Sequence, residues 1–199
     1  MKLSKSRSSG CEIGILAGGL STRMGRDKAS IRLGSKTMLG QIRAIARATG
    51  LKVRVIRKDL VPRCGPLGGI YTGLKTTRAA AVLFLACDMP FVTEELLGVL
   101  LKVWEKRPAS GSLFVVCNRT PGFPFIVPKA ALAAVESQIA KGVFSIHELA
   151  SVLKAKPVRL GESGSSELRN INSPKDLKWA RGCVESGKVD RLGGKRRRV

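Results

Sequence analysis

A glycine-rich segment near the start of the chain carries the residue types that bind polyphosphates. Residues 16–28 read Leu-Ala-Gly-Gly-Leu-Ser-Thr-Arg-Met-Gly-Arg-Asp-Lys. Glycines let backbone N–H groups approach an anion closely, because no Cβ intervenes. Ser21 and Thr22 add hydroxyl donors, and Arg23 and Lys28 bring the positive charge that a triphosphate requires. We therefore predict that this segment binds phosphate groups.

The spacing within this segment differs from two common nucleotide-binding patterns. Lys28 stands three residues after Gly25, and Ala29 replaces the Ser or Thr that binds magnesium in a Walker A loop. The segment does not contain G-x-G-x-x-G either. The alternative interpretation is an ordinary strand-to-helix turn with solvated charges. An ordinary turn explains the presence of two adjacent glycines, but it does not explain the full thirteen-residue segment 16–28.

A single carboxylate follows the most apolar segment of the chain. Residues 80–86 are continuously apolar, which is typical of a central parallel strand that is covered on both faces. Asp88 comes directly after this strand, where a carboxylate would lie at the ligand-binding edge of the sheet. Because Mg²⁺ takes one or two carboxylates together with phosphate oxygens, we predict that Asp88 binds it. The alternative is an aspartate that caps a loop or a helix.

Strand and helix patterns alternate along the chain. Predicted strands lie at 12–17, 53–56, 80–86, 113–117 and 125–127. Predicted helices lie at 38–49, 70–77, 94–104 and 130–141, and two more begin after Ser145 and Ser173. The residues at 60–69 include two prolines and three glycines, which predicts a loop.

This alternation predicts a Rossmann-like, doubly wound α/β fold with a mostly parallel sheet and helices on both faces. The glycine segment and Asp88 each follow a strand, so we expect them to share one edge of the sheet. We expect a single domain over residues 11–186, with flexible basic tails at 1–10 and 187–199.

The net charge of +22 predicts attraction to polyanions such as nucleotides, phosphorylated cofactors or nucleic acid. A solvated basic surface without a dedicated partner is an equally good alternative.

No apolar run is long enough to span a bilayer, and Glu12 interrupts the early apolar stretch, so we predict no signal peptide. The five cysteines lack C-x-x-C spacing, which predicts reduced thiols and a cytoplasmic location.

Four motifs, in order, resemble those of the MobA-like nucleotidyltransferases, the molybdenum cofactor guanylyltransferase family. Residues 16–28 resemble that family's L-A-G-G-x-S-x-R-M-G-x-D-K, and residues 65–69 resemble its G-P-L-x-G. Residues 87–90 resemble its C-D-M-P, and residues 170–174 its N-x-N-T-P. The likeness runs from about residue 12 to residue 181.

This resemblance implies transfer of GMP from GTP to molybdopterin, with release of pyrophosphate and formation of a dinucleotide cofactor. It implies Arg23, Lys28 and Asp88 as catalytic residues, with Asp88 as the Mg²⁺ ligand. It further implies that Asn170 and Asn172 orient the acceptor or the metal. The implied nucleotide-binding residues are Leu16, Ala17, Gly18, Gly19, Ser21, Thr22, Arg23, Lys28, Asp59, Gly65, Pro66 and Leu67. Molybdoenzymes or cofactor-insertion proteins are possible partners, and a membrane is not expected.

The chain departs from the family pattern at two places. Only fourteen residues separate Gly50 from Gly65, which is too few for a further strand and helix. We therefore predict that one strand is missing beside the base pocket, and that GTP is only modestly preferred over other purine triphosphates. Phe123-Pro124 stands where the family often has His-Pro, so any acceptor contact by that histidine is missing.

Two alternative functions stay open at this point. One is a related nucleotidyltransferase that uses CTP or another phosphorylated acceptor. The other is a basic nucleic-acid-binding protein that retains the fold, although the sequence contains no recognisable nucleic-acid-binding module. The identity of the acceptor, the oligomeric state and any partner of the basic tails do not follow from the sequence.

Overall fold

The structure is a computed structural model, and it describes residues 10–18, 28–106, 111–117, 120–158 and 167–186. The strands are β1 (Cys11–Leu16), β2 (Arg32–Leu33), β3 (Lys36–Thr37), β4 (Val53–Ile56), β5 (Ala81–Ala86), β6 (Leu113–Cys117), β7 (Thr120–Pro128) and β8 (Lys156–Val158). The α-helices are α1 (Met38–Ala48), α2 (Gly65–Thr76), α3 (Glu94–Glu105), α4 (Leu132–Ala140), α5 (Ile146–Val152) and α6 (Pro174–Glu185). Short 3₁₀ turns lie at Lys28–Ser30 and Lys129–Ala131.

Six strands form one sheet in the order β4-β1-β5-β7-β6-β8. Strands β4, β1 and β5 are mutually parallel, and β8 is parallel to β6. Only β7 runs antiparallel to its neighbours within this sheet. The prediction of a mostly parallel sheet is therefore confirmed. The short β2–β3 hairpin forms a separate two-stranded sheet.

Apolar layers cover both faces of the sheet, as the doubly wound prediction requires. One layer packs α1 and α3 against β1 and β5, with Ile42 and Leu97 fully buried. The other packs α2, α4 and α5 against Phe84 and Phe125. Gly73 allows α2 to approach the sheet closely, because a Cβ at that position would lie 2.5 Å from the Phe84 ring. A third cluster packs α6 against the β2–β3 hairpin.

Three helices begin where capping side chains predicted them. The Thr93 hydroxyl accepts a hydrogen bond from Leu96 N at 3.2 Å, and Ser145 accepts one from Glu148 N. Ser173 forms a complete capping box with Asp176, with proline at the first helical position of α6. Such side chains satisfy N–H groups that have no partner inside the helix, which fixes where each helix begins.

The segment between α1 and α2 contains one strand, β4, as its length predicted. The prediction of a loop over 60–69 is wrong for its second half, because α2 begins at Gly65 rather than at Ile70. Pro66 lies in the first turn, where its missing N–H costs nothing. Gly69 allows close packing rather than a turn, since a Cβ there would lie 2.8 Å from Leu16 Cδ2.

The strands β2, β3 and β8 were not predicted, and β7 is longer than predicted. The first three contain only two or three residues each, so no alternation of apolar and polar residues can identify them. Strand β7 spans nine residues instead of the predicted three. Its prolines at 121, 124 and 128 interrupt the strand pattern, because proline cannot donate a hydrogen bond to a neighbouring strand.

A buried ion pair connects β1, β4 and α2. Glu12 on β1 is buried, and its Oε1 lies 2.6 Å from Arg54 Nη2 on β4. Arg54 also donates to the Gly73 carbonyl oxygen at 2.9 Å and to Thr76 Oγ1 at 2.8 Å. The nearest other cation is Lys52, 3.8 Å from Glu12 and largely exposed, among the residues that the structure describes. Arg54 is therefore the main partner of a carboxylate that is shielded from water.

Replacing Arg54 with methionine should destabilise the protein by about 3–5 kcal/mol, because it leaves Glu12 buried without its closest partner. Urea unfolding monitored by circular dichroism measures this loss. Arg47→Met is the matched control, since Arg47 is exposed on α1 and surface substitutions usually change stability by less than about 0.5 kcal/mol. A loss in Arg54→Met no greater than in the control would contradict this interpretation.

Candidate nucleotide and metal site

The chain leaves three neighbouring parallel strands at one edge of the sheet. Leu16 and Ala86 are paired residues at the ends of β1 and β5. Just beyond them, Cys87 N donates to the Leu16 carbonyl oxygen at 3.0 Å, and Ala17 N donates to the Ile56 carbonyl oxygen of β4 at 2.8 Å. Gly18 and Asp88 therefore lie at the same edge, as predicted.

The rest of the glycine segment lies outside the described residues. This applies to the predicted nucleotide-binding residues Gly19, Ser21, Thr22 and Arg23. The described chain resumes at Lys28, in the 3₁₀ turn that precedes the β2–β3 hairpin. The predicted tails also fall outside the described residues, apart from Gly10.

Lys28, Asp88 and Asn172 meet at this edge, although they are far apart in sequence. Lys28 Nζ lies 3.5 Å from Asp88 Oδ2 and donates a hydrogen bond to Asn172 Oδ1 at 2.5 Å. The side chains of Lys28 and Asp88 are each 20% exposed. An ammonium group therefore bridges a carboxylate oxygen and an amide oxygen in a partly sheltered position. Asn170, the other predicted asparagine, is exposed on the same loop.

The surroundings of Asp88 favour a bound cation. Burial raises the pKa of the Asp88 carboxyl, and the nearby Lys28 charge opposes that effect. Its Oδ1 is buried and has no hydrogen-bond partner within the described part of the chain. A buried oxygen without a partner is energetically unfavourable, so it marks a place where a ligand can bind. Carboxylate and amide oxygens are hard ligands of the kind that Mg²⁺ accepts.

Asp88 and Asn172 present a carboxylate oxygen and an amide oxygen at this edge. Over the described ranges, no group of three or more His, Cys, Asp or Glu residues could hold a metal ion. Mg²⁺ commonly binds through one or two carboxylates, with phosphate oxygens and water completing its shell. The oxygen atoms of Asp88 and Asn172 fit this preference of Mg²⁺. They do not fit the preference of Zn²⁺ for several nitrogen or sulfur ligands.

Asp59 lies at the same edge, next to the start of α2. Its carboxylate oxygens lie 3.1 Å and 3.5 Å from where Cβ atoms of Gly68 and Gly69 would stand, and 3.8 Å from that of Gly18. Burial raises the pKa of Asp59 above the usual value for an aspartate. A side chain at Gly18 or Gly68 would also collide with a carbonyl oxygen, at 2.8 Å or 2.9 Å. These glycines let Asp59 lie between β1 and α2.

The residues of the Gly-Pro-Leu motif divide into two groups. Gly65 and Pro66 are exposed at the start of α2. The side chain of Leu67 is fully buried in the core, so it packs the helix against the sheet, and only its backbone is available to a ligand. Leu16 is also largely buried, with 9% of its surface exposed.

One residue that contributes to the site was not among the predicted site residues. Asp176 accepts hydrogen bonds from Asn172 N at 3.2 Å and from Ser173 N at 3.0 Å. The preceding residue, Ile171, donates its N–H to the Asp88 carbonyl oxygen at 2.8 Å. The Ser-Pro-Lys-Asp pattern that opens α6 was visible in the sequence, but it indicates only a helix start.

No helix in the described part of the chain is long and apolar enough to cross a membrane.

Comparison with known proteins agrees with this arrangement. The model of the MobA-like NTP transferase domain matches residues 13–58 and 40–156. The molybdenum cofactor guanylyltransferase of Pseudomonas putida F1 is 31% identical over 195 residues, which cover 84% of this chain and 95% of that protein. The probable molybdenum cofactor guanylyltransferase of Opitutus terrae is 30% identical over 187 residues, covering 81% and 90%.

The fold agrees as well. The crystal structure of molybdopterin-guanine dinucleotide biosynthesis protein A from Archaeoglobus fulgidus superimposes with a TM-score of 0.70 at 21% identity. The match covers 88% of this chain and 99% of that chain. The resemblance that the four sequence motifs indicated is thereby confirmed over most of the chain. The protein therefore belongs to the MobA-like NTP transferase family of nucleotidyltransferases.

Proposed function

We propose that this protein transfers GMP from GTP to the phosphate of molybdopterin and releases pyrophosphate. The observation that carries the proposal is the convergence of Lys28, Asp88 and Asn172 at the edge where Gly18 leaves β1. Relatives whose length this chain almost completely covers are molybdenum cofactor guanylyltransferases by name. A site of this composition suits a triphosphate and a divalent cation, which that reaction requires.

The reaction forms one bond and breaks one bond at the α-phosphorus of GTP. An oxygen of the acceptor phosphate attacks the α-phosphorus, and the bond to the oxygen that bridges the α- and β-phosphates breaks. Pyrophosphate leaves with that electron pair. Because the attacking phosphate is already ionised, the protein does not need a histidine as a general base. Its contribution is to position the groups and to neutralise their charge.

The named residues have distinct roles in this scheme. Lys28 places an ammonium group against the phosphate oxygens, and Arg23 adds a second positive charge. Asp88 and Asn172 would hold a divalent cation, which we take to be Mg²⁺ from the type of ligand atoms. When bound, this ion neutralises charge on the phosphate oxygens and withdraws electrons from the α-phosphorus. Gly18 and Gly19 bring backbone N–H groups towards the phosphates.

We infer that Asp59 recognises the base. Guanine presents two neighbouring donors, N1–H and the 2-amino group, and a carboxylate can accept both. Adenine presents an acceptor at N1, which would face the Asp59 carboxylate unfavourably. Asp59 lies beside Gly18 and the start of α2, within the edge that binds the nucleotide in this proposal. This proposed contact would supply the recognition of the base that the shortened segment 51–64 left in question.

The most direct test is pyrophosphate release with each of the four nucleoside triphosphates in the presence of molybdopterin. We expect GTP to be the best substrate. Fastest release with CTP, or release only with another phosphorylated acceptor, would support the related nucleotidyltransferase instead. No release with any nucleotide, together with tight and salt-sensitive binding of DNA or RNA, would support the nucleic-acid-binding alternative.

Asp59→Asn should lower the preference for GTP over ATP by about 10- to 100-fold, because the site would lose the carboxylate that accepts hydrogen bonds from guanine N1–H and the 2-amino group. The same change should slightly stabilise the protein. The raised pKa means that the folded state disfavours the ionised carboxylate, so stability falls as pH rises through that pKa, and the neutral amide removes this effect.

The ratio of kcat/KM for the two nucleotides and the urea midpoint at neutral pH measure these two effects. Glu185→Gln is the control, since it removes an exposed carboxylate at the end of α6. An unchanged ratio in Asp59→Asn would exclude Asp59 from base recognition.

A further inference from the structure

The loop that carries Asn172 is held by a carboxylate that does not itself contact Lys28 or Asp88. Asp176 Oδ2 accepts hydrogen bonds from Asn172 N at 3.2 Å, Ser173 N at 3.0 Å and Ser173 Oγ at 2.7 Å. Its other oxygen, Oδ1, lies 3.3 Å from Arg169 Nη2. These hydrogen bonds lower the pKa of Asp176, so the group is ionised at neutral pH.

Packing contacts and a backbone hydrogen bond also hold this loop. The Arg169 guanidinium lies 4.0 Å from the centre of the Trp179 ring on α6. Trp179 in turn packs edge-on against Phe91, with the ring centres 5.3 Å apart. Ile171 is fully buried, and its N–H donates to the Asp88 carbonyl oxygen at 2.8 Å. The backbone on both sides of Asn172 is therefore attached, on one side to the Asp88 loop and on the other to α6.

We propose that Asp176 is a positioning residue for this site. By holding the backbone of Asn172, it keeps the Asn172 amide oxygen on Lys28 and beside Asp88. Asp176 acts through Asn172, because its own carboxylate is directed to the loop backbone and to Arg169. The inference rests on the proposed function, to which it adds a residue that the family motif does not contain.

The competing explanation is that Asp176 only caps α6. The two explanations differ in what Ser173 should do. The Ser173 hydroxyl accepts a hydrogen bond from Asp176 N, so Ser173→Ala weakens the helix cap. It also removes the hydrogen bond from Ser173 Oγ to Asp176 Oδ2, but it leaves the two backbone hydrogen bonds to that oxygen intact. Ser173→Ala should therefore lower the urea midpoint without changing kcat.

Asp176→Ala should lower both the urea midpoint and the activity. Removing a residue that orients a metal or phosphate ligand typically costs about 10- to 100-fold in affinity or rate, and we expect kcat to fall within that range. Asp176→Asn keeps an oxygen that can accept from the two backbone N–H groups, so it should recover most of the activity.

A double-mutant cycle with Asn172→Ala tests the route through Asn172. The full-length chain is used, with two readouts: kcat for pyrophosphate release, and the dissociation constant of GTP in the presence of Mn²⁺, measured by calorimetry. We expect each single variant to impair both readouts, and the double variant to be no worse than Asn172→Ala alone.

Effects that multiply in the double variant would overturn the proposal, as would an Asp176→Ala protein with wild-type values. An Asn172→Ala variant with wild-type values would overturn it as well, because Asp176 could not then act by positioning Asn172. The calorimetric readout separates this outcome from failure of the proposed function. If the unmodified protein releases no pyrophosphate, the proposed reaction is wrong, and the GTP dissociation constants still decide the role of Asp176.

Discussion

Replacing Asp88 with asparagine is expected to lower the rate of pyrophosphate release by about 10²- to 10³-fold, the usual cost of losing a preorganised charge at a reacting group. The amide retains the shape of the carboxylate but is a poor ligand for Mg²⁺. The buried Oδ1 atom, which has no partner in the described part of the chain, is the one we expect the cation to reach. Asp88→Ala should be at least as impaired.

The Asp88→Asn protein should remain as stable as the original. Burial raises the pKa of Asp88, so ionising this carboxyl costs more in the folded state than in the unfolded chain. For a carboxylate with a raised pKa, the folded state loses stability as pH rises through that pKa, and the neutral amide avoids this loss. An unchanged or higher urea midpoint would therefore show that the Asp88→Asn protein is folded and that its loss of activity has another cause. Full activity in Asp88→Asn would exclude the proposed metal site.

Lys28→Met is expected to reduce the rate by a similar factor, about 10²- to 10³-fold, because the ammonium group would no longer stabilise charge on the phosphates. Lys28→Arg should restore little of the original rate, since the planar guanidinium cannot replace a compact ammonium between Asp88 and Asn172. Steady-state kinetics with saturating GTP measure the loss in kcat.

Lys75→Met provides the matched control for net charge. Lys75 is half exposed in the last turn of α2, where it pairs with Glu136 at 3.0 Å rather than with Asp88 or Asn172. If non-specific attraction of anions were the main effect of lysine in this protein, the two variants would be equally impaired. We expect Lys75→Met to stay within about twofold of the original rate, as surface substitutions away from a site usually do.

The proximity of Lys28 and Asp88 could be predicted from the sequence because it follows from strand order. Each residue comes after a buried strand or its loop, and the two strands are parallel neighbours, so their carboxyl ends share one edge. The contact of Asn172 with Lys28 spans 144 positions and depends on how the loop before α6 is held. No local pattern contains that information, and only the resemblance to the family suggested a role for Asn172.

The start of α2 was predicted wrongly for a physical reason. Glycine and proline usually mark loops, but here Pro66 occupies a first-turn position and the glycines permit close packing. At Gly68 and Gly69, the near neighbours are Asp59 and Leu16, which come from other parts of the chain. A glycine that is required by a distant neighbour cannot be distinguished, in one sequence, from a glycine that is required by a turn.

The single strand between α1 and α2 has a consequence for how the protein behaves in concentrated solution. Within the described part of the chain, β4 is the outermost strand on its side of the sheet. It contains four residues, and exposed basic residues at 52, 57 and 58 lie beside it. Short strands that carry positive charges repel the strands of other molecules, which protects the exposed hydrogen-bonding groups from intermolecular pairing. A sheet that ends at β4 should therefore resist aggregation through this side.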